Sequence, residues 1–278
     1  MYLVTGATGL IGRPLVRALL AEGVRVRAVT RDVSNADIPS GVEPVHPNDV
    51  AAALSGVDGV FVHPRATLGS IHGLLDAAVE EGVPKVVVMS AINVDDEPDH
   101  QPSRFNGDRN TEAERAVVSC GLPWVAVRPG SFAANTLGMW RGQMAFGDTI
   151  RGPYGAFAEA VIHERDVAEV IASALLDDAL LGRTLAVTGP EALTPEEMVA
   201  ALSAAIDRPL AFEEMPPEMA AEGMIRSGLD ERFVGALLSR YERETGRQPA
   251  VTTEVETVLG RPARAFADWA ADHVKDWS

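Results

Sequence analysis

The stretch Thr5-Gly6-Ala7-Thr8-Gly9-Leu10-Ile11-Gly12 follows the apolar run Met1-Tyr2-Leu3-Val4 and opens a helical pattern. A strand that ends in a glycine-rich turn and passes into a helix makes an anion site. The first N–H groups of the helix lack intrahelical partners and sit at the positive end of its dipole. Gly6 permits the tight turn, Gly9 lets the backbone approach a pyrophosphate, and Gly12 lets the helix pack close to the strand. Thr8, Leu10 and Ile11 complete the loop, and a dinucleotide is the ligand it suits. About 20 residues further on, a NAD-specific site places Asp or Glu against the ribose hydroxyls. Here that place holds Thr30-Arg31, with Asp32 next. A guanidinium fork matches a 2′-phosphate. Arg13, just past the last loop glycine, could reach the same group from the other side or be a solvated surface residue. Arg31 therefore points to NADP(H) over NAD(H), whereas Asp32 turned inward would favour NAD.

The elements needed to hold such a site are legible as strands alternating with helices. Helix from about Leu10 to Glu22 stops at Gly23. Strands are expected at Arg25 to Thr30, Val42 to Val45, Gly59 to Val62, Lys85 to Met89 and Trp124 to Val127. A short helix is expected at Asp49 to Leu54 and a longer one at Thr67 to Glu81. Thr111-x-x-Glu114 reads as a capping box opening a helix that ends near Cys120-Gly121. Asn93 to Gly107 shows no periodicity, and Phe132 to Phe157 is irregular. Asp166 caps a further helix to about Leu176, Thr184 to Val187 forms a last strand, and Thr194-Pro195-Glu196-Glu197 is a strong helix start. This alternation predicts an α/β fold, a doubly wound parallel sheet of the Rossmann type, with a smaller, mostly helical C-terminal substrate lobe. Residues 1–131 and 161–190 are assigned to the dinucleotide-binding domain, and residues 132–160 and 191–278 to the lobe. Ligands of open α/β sheets bind at the carboxyl ends of the strands, so the lobe should wall in a cleft there.

Composition narrows the function. The chain has 278 residues and a formal net charge of −16, which disfavours a nucleic-acid partner. No apolar run approaches the ~20 residues of a membrane span. Cys120 is the single cysteine, which excludes an intrachain disulfide and a cysteine-rich metal site. With the first strand starting at Met1, a cytoplasmic location is expected. A small-molecule substrate is implied, no metal site is read, and a homodimer is left open. Lys85 and Lys275 are the only lysines.

The glycine loop, Val29-Thr30-Arg31-Asp32, Gly56-Val57-Asp58-Gly59-Val60-Phe61, Ser119-Cys120-Gly121-Leu122-Pro123-Trp124, Arg128-Pro129-Gly130-Ser131-Phe132 and His163-Glu164-Arg165-Asp166 together resemble the NmrA-like atypical short-chain dehydrogenase/reductases. The resemblance spans nearly the whole chain. It implies the fold, an NADP(H) cofactor, and one of two activities: reduction of quinones, enones and related acceptors, or a non-catalytic NADP(H)-responsive regulator working through a protein partner. Enzymes of the wider superfamily use a Tyr-x-x-x-Lys pair as general acid and its activator. Tyr2, Tyr154 and Tyr241 are the only tyrosines, and none has a lysine four residues later. Losing a positioned acid forfeits roughly 10²–10⁴ in rate, tolerable for acceptors that need little protonation help. Quinones and activated enones qualify and simple ketones do not. An epimerase or dehydratase holding NAD is disfavoured by the same absence and by Arg31.

The resemblance places Ser90, with Ala91 behind it, at the family serine position, although Ser90 could equally just close its strand. Asn110 stands where relatives often carry histidine, and could bond the ribose or carboxamide. Asn48 or Asp49 should lie near the adenine. By position, His63-Pro64 ends the fourth strand beside the cofactor, as Pro129 and Ser131-Phe132 do after the sixth. Asn135, Met139 and Trp140 should line the substrate pocket, with plain core as the alternative for Met139. Tyr154 and His163 are the named proton-donor candidates. Tyr154 sits in a turn that suits either role, and His163 reads more simply as a structural histidine.

Overall fold

Short β-branched runs bounded by glycines make the strands, and the faces they expose dictate the helices that cover them. The computed structural model describes residues 1–34, 37–67 and 69–277. Its main sheet is built from β1 (Tyr2–Val4), β2 (Val26–Val29), β3 (Glu43–Val45), β4 (Gly59–Val62), β5 (Val86–Met89), β6 (Trp124–Pro129) and, further along, β8 (Thr184–Val187), with β7 (Thr149–Gly152) set apart. The order is β3-β2-β1-β4-β5-β6-β8, and all pairings are parallel. The chain reverses its direction of travel across the sheet between β1 and β4, the switch point where such folds bind ligands. β4 and β5 are buried at every residue, as strands covered on both faces must be.

One face of the sheet is covered by α1 (Gly12–Ala21) and α6 (Glu164–Leu176). The other is covered by α2 (Ile71–Glu80) and α4 (Asn110–Ser119), with α3 (Pro102–Phe105) just ahead of α4. A third core belongs to the lobe, where α5 (Asn135–Met144) and α7 (Pro195–Ala205) enclose Trp140, Ile150, Leu202 and Trp269. Also in the lobe are β9 (Ala211–Glu214), parallel to β7, and α8 (Pro217–Arg226), α9 (Glu231–Glu244) and α11 (Phe266–Asp272). Between the last two, α10 (Glu254–Leu259) returns to the sheet, where Val255 joins the core under α6. Among the described residues, no helix is long and apolar enough to cross a membrane.

Several local expectations are corrected. α1 begins at Gly12 and α2 at Ile71, later than the periodicity implied, because the glycine loop and the turn bonds of Thr67 to His63 and Ser70 to Thr67 use those residues first. The stretch expected to be a helix from Asp49 is two tight turns, Pro47–Asp49 and Ala52–Leu54. The unpatterned loop before Gly107 contains a tight turn, Pro98–His100, and α3. The irregular stretch after Phe132 contains α5 and β7. The Thr111/Glu114 capping box does not form. Thr111 donates to the Val94 carbonyl, and Glu114 takes a bidentate grip from Arg128. The box at Thr194 forms as expected, with Pro195 at the first position.

The cap of α6 is His163, whose Nδ1 accepts from the Arg165 N–H (3.2 Å). Asp166, expected to be that cap, lies fully buried inside the first turn and receives Arg261 and Arg264. Beside it Glu164 fastens α11 and the C-terminal turn to the sheet domain. It accepts from Trp269 Nε1 (3.0 Å) and meets His273 Nε2 (2.7 Å). Burial alone would raise this carboxyl, but a hydrogen bond and charge from His163, a backbone hydrogen bond and a hydrogen bond from His273 hold it at about 2. A depressed carboxylate stabilises the fold above its unfolded pKa and loses that contribution as pH falls toward the folded one. We therefore expect Glu164→Gln to lower the melting temperature at neutral pH by about 3–6 °C. The gap to wild type should close as pH falls from 4.5 to about 2. Calorimetric melting curves across that range check this, and a pH-independent gap would contradict it.

Candidate active site at the sheet switch point

The glycine loop is built by a close approach. Gly6 has φ +65°, a left-handed conformation that favours glycine. A Cβ on Gly12 would come within 2.1 Å of the Gly6 carbonyl oxygen, so α1 can start here only without a side chain. Gly9 donates to the same carbonyl at 3.0 Å, which leaves Gly9 and Leu10 at the exposed tip. Thr5 at the end of β1 holds the neighbouring loop. Its hydroxyl donates to the Phe61 carbonyl (2.9 Å) and accepts from the His63 N–H (2.8 Å). His63 packs against Gly6, burial lowers its pKa, and the ring is therefore neutral near pH 7. Pro64 is buried behind it.

Arg31 is exposed after β2 and has no ion-pair partner among the described residues. Arg13 donates to the Thr8 carbonyl (2.7 Å) and pairs with the exposed Asp37, on the outer side of the loop. Asn48 lies in the turn beyond β3 and is exposed.

On the other side of the switch point, Ser90 follows β5. Its backbone is tied to Val127 (2.7 Å), yet its hydroxyl is buried with no hydrogen-bond partner among the described residues. An unpaired buried hydroxyl costs about 1–3 kcal/mol. Asn110, at the start of α4, is buried beside Ser103. Arg128 secures this region. It grips Glu114 of α4 on one side and Asp95 of the loop after Ser90-Ala91 on the other (2.6 Å). Neither lysine is near. Lys85 precedes β5 at the opposite end of the sheet, paired with Asp178, and Lys275 is in the C-terminal turn.

The roof comes from α9, which sequence reasoning recorded only as helical. Arg240 donates to the Ser131 hydroxyl (3.0 Å) and pairs with Glu159 (3.0 Å) and Glu244 (3.1 Å). It thereby joins the lobe to the segment after β6. Tyr241 is buried on Phe157 (4.4 Å between rings), with its hydroxyl toward the Met139 sulfur at 3.9 Å, and burial raises its pKa. Tyr154 lies edge-on to Tyr241 at 6.5 Å and adopts φ +53°, a strained conformation for a side-chain-bearing residue. No spacing rule reveals Arg240 or Tyr241, because a lone Arg-Tyr pair on an amphipathic helix looks like any other surface turn.

The structure brings Ser131, Met139 and Tyr154 together under α9. Pro129 closes β6, Phe132 bridges to Ile162, and Asn135 is exposed at the start of α5. Two expected pocket residues lie elsewhere. His163 is fully buried in the α6 cap with Asp272, so it is a structural histidine and not a proton donor. Trp140 packs edge-on to Phe266 inside the lobe core.

Comparison with known proteins shows the family and the fold. A family described as NAD(P)H-binding matches residues 6–178, and the chain belongs to it. A (4-alkanoyl-5-oxo-2,5-dihydrofuran-3-yl)methyl phosphate reductase of Streptomyces griseus is 38% identical, covering 99% of this chain and 98% of that protein. An NAD(P)H azoreductase of Xenophilus azovorans is 32% identical over 98% of each. Among solved structures, an NADPH-dependent quinone oxidoreductase of Escherichia coli complexed with NADPH superposes with a TM-score of 0.81 at 18% identity, covering 98% of this chain and 99% of that one. An NmrA variant gives 0.72 at 19%, over 99% and 95%. These two share the fold.

The residues present fit a dinucleotide. The loop leaves backbone at its tip where a pyrophosphate would lie, and Ser90 carries an unpartnered hydroxyl at the strand ends. Ser90→Ala should therefore leave the melting temperature of the free protein unchanged or higher by about 1–3 °C. The same change should weaken NADPH binding about tenfold. Melting curves and calorimetric titration together check it; a less stable protein with intact affinity would make Ser90 a mere strand end.

Proposed function

We propose that the chain is an NADPH-dependent reductase of small conjugated acceptors, quinone- or enone-like, working without a Tyr-x-x-x-Lys pair. The observation that carries the reading is the Ser90 hydroxyl at the end of β5, buried and without a partner among the described residues, across the sheet switch point from the glycine loop. The names of the two relatives support it. One acts on an unsaturated furanone bearing an alkanoyl group, and the other on azo compounds, both conjugated systems. Both names describe reductases, which favours turnover over the alternative of a sensor without activity.

When bound, the nicotinamide supplies the hydride. Everything else falls to this chain. The Gly6–Gly12 loop and the start of α1 hold the pyrophosphate. Arg31 selects the 2′-phosphate, and this is the basis for preferring NADP(H). Ser90, Ala91 and Asn110 orient the nicotinamide and its ribose from one side, and Pro129, Ser131 and Phe132 from the other. His63 and Pro64 border the middle of the cofactor, and Asn48 its adenine end. Asn135, Met139 and Tyr154 form the acceptor side, roofed by α9. Tyr154 is the best-placed tyrosine to hand a proton to the acceptor, although burial and nearby carboxylates raise its pKa. With no lysine to lower it, the proton stays bound at neutral pH. The acceptor must therefore carry most of the developing charge itself. Residues 132–160 and 191–278 serve as the substrate lobe in this reading, with α10 returned to the sheet.

Calorimetric titration with NADPH and NADH in parallel tests the cofactor assignment. We expect NADPH to bind about tenfold or more tightly, and Arg31→Ala to erase that preference. Equal binding in the wild type would show Arg31 to be a solvated surface residue. With NADPH, naphthoquinone and an activated enone should be reduced and cyclohexanone should not.

A further inference from the structure

Beside Asn110 the protein has a polar cavity of about 230 Å³, lined by Asp99, Arg104, Phe105, Arg109, Asp230 and Arg232. It lies between α3 and the first turn of α9. In a chain of net charge −16, three guanidinium groups at one cavity are unexpected. Arg104 is neutralised by a bidentate pair with Glu112. The other two have no such pair among the described residues, although the Glu112 charge also acts on Arg109. Arg109 donates only to the backbone carbonyls of Arg104 (2.9 Å) and Asp108 (2.8 Å). Arg232 lies over the Phe105 ring at 4.7 Å. Neither has a carboxylate within ion-pair distance among the described residues. Of the two carboxylates present, Asp230 caps α9, accepting from the Arg232 N–H (2.9 Å) and the Phe233 N–H (3.3 Å), and keeps its charge. Asp99 remains, and its charge acts on Arg104. Two guanidinium groups without an ion-pair contact among the described residues therefore share, with Asp99 and Asp230, a cavity large enough for a phosphate group. One is stacked on an aromatic ring, a contact that leaves the edge of its fork free for oxygen atoms.

We propose that this cavity holds an anionic group of the substrate, a phosphate monoester, while the conjugated part of the same molecule occupies the site under α9. The inference rests on the reductase reading and names the substrate class within it. Two connections place the cavity within one ligand's reach of that site. Arg109 immediately precedes Asn110, which also contacts Ser103 of α3 at 3.5 Å. Along α9, Arg232 and Arg240 are eight residues apart, so about 12 Å of helix separates the cavity from the strut on Ser131. A fork-shaped donor pair favours a tetrahedral dianion over a carboxylate, and both over a neutral group.

The test is calorimetric titration of the NADP⁺-saturated protein, so that cofactor phosphate sites are already filled. Phenyl phosphate, benzoate and phenol are the probes. Phenyl phosphate is expected to bind at least about tenfold more tightly than phenol, with benzoate between them. Arg232→Ala should abolish that preference, and Arg232→Lys should retain part of it. Arg109→Ala also removes two backbone bonds, so Arg232, which holds no backbone group through its side chain, supplies the deciding variants. Equal binding of phenyl phosphate and phenol, benzoate matching phenyl phosphate, or a preference that survives Arg232→Ala would each overturn the proposal. Failure of the reductase reading shows separately, as no NADPH consumption by the wild type with naphthoquinone.

Discussion

The approach of Gly12 to the Gly6 carbonyl is the contact on which the site depends. It fixes where α1 begins, and hence where the free N–H groups of that helix point. It also sets how close α1 lies to the sheet. A methyl group at position 12 would stand 2.1 Å from that oxygen, so the constraint acts on backbone and has no soft side chain to yield. Thr5 carries the same order across the switch point, bonding both Phe61 and His63. From there the loop beyond β4 takes its position against Gly6.

A second level of order comes from charged groups taken out of solvent and fully paired. Arg128 binds α4 to the loop after β5, which sets Ser90 and Asn110 relative to each other. Arg240 joins the lobe to Ser131. Glu164 and Asp166, both buried in the first turn of α6, anchor α11 and its approach. Removing one partner from such a group strands the other charge, so these sites are sensitive to single changes. By contrast the Ser90 hydroxyl has no hydrogen-bond partner among the described residues, and Tyr154 is held in a strained conformation. Polar groups left unsatisfied inside an otherwise paired structure are where a ligand gains most by binding.

Much of this was legible in the sequence, for reasons that can be named. The sheet strands are short, mostly valine-containing apolar runs between glycines, and the opening loop carries its own geometry. The Thr194 capping box depends only on residues within one turn. The features that were missed depend on contacts distant in sequence. Thr111 and Glu114 match a capping box, but Val94 and Arg128 claim them first. Asp166 matches a helix cap, yet Arg261 and Arg264 take it. The helical periodicity after Phe132 is interrupted by Gly138 and Gly142, so α5 left no clear pattern. Arg240 and Tyr241 became visible only once α9 was seen to cross over Ser131 and Met139. The seven-strand parallel sheet agrees with the sequence-based architecture, and membership of the NAD(P)H-binding family agrees with the resemblance.

The most direct test of the account is a single-turnover experiment without oxygen. Protein loaded with NADPH deuterated at the transferring carbon is mixed with an equivalent of an activated enone. The account predicts loss of the reduced-nicotinamide absorbance only when the enone is present. Deuterium should appear on the product carbon, and Ser90→Ala should slow the step. NADPH that stays bound and reduced in the presence of enones and quinones alike would contradict it, and would leave a cofactor-binding protein without the chemistry assigned to it.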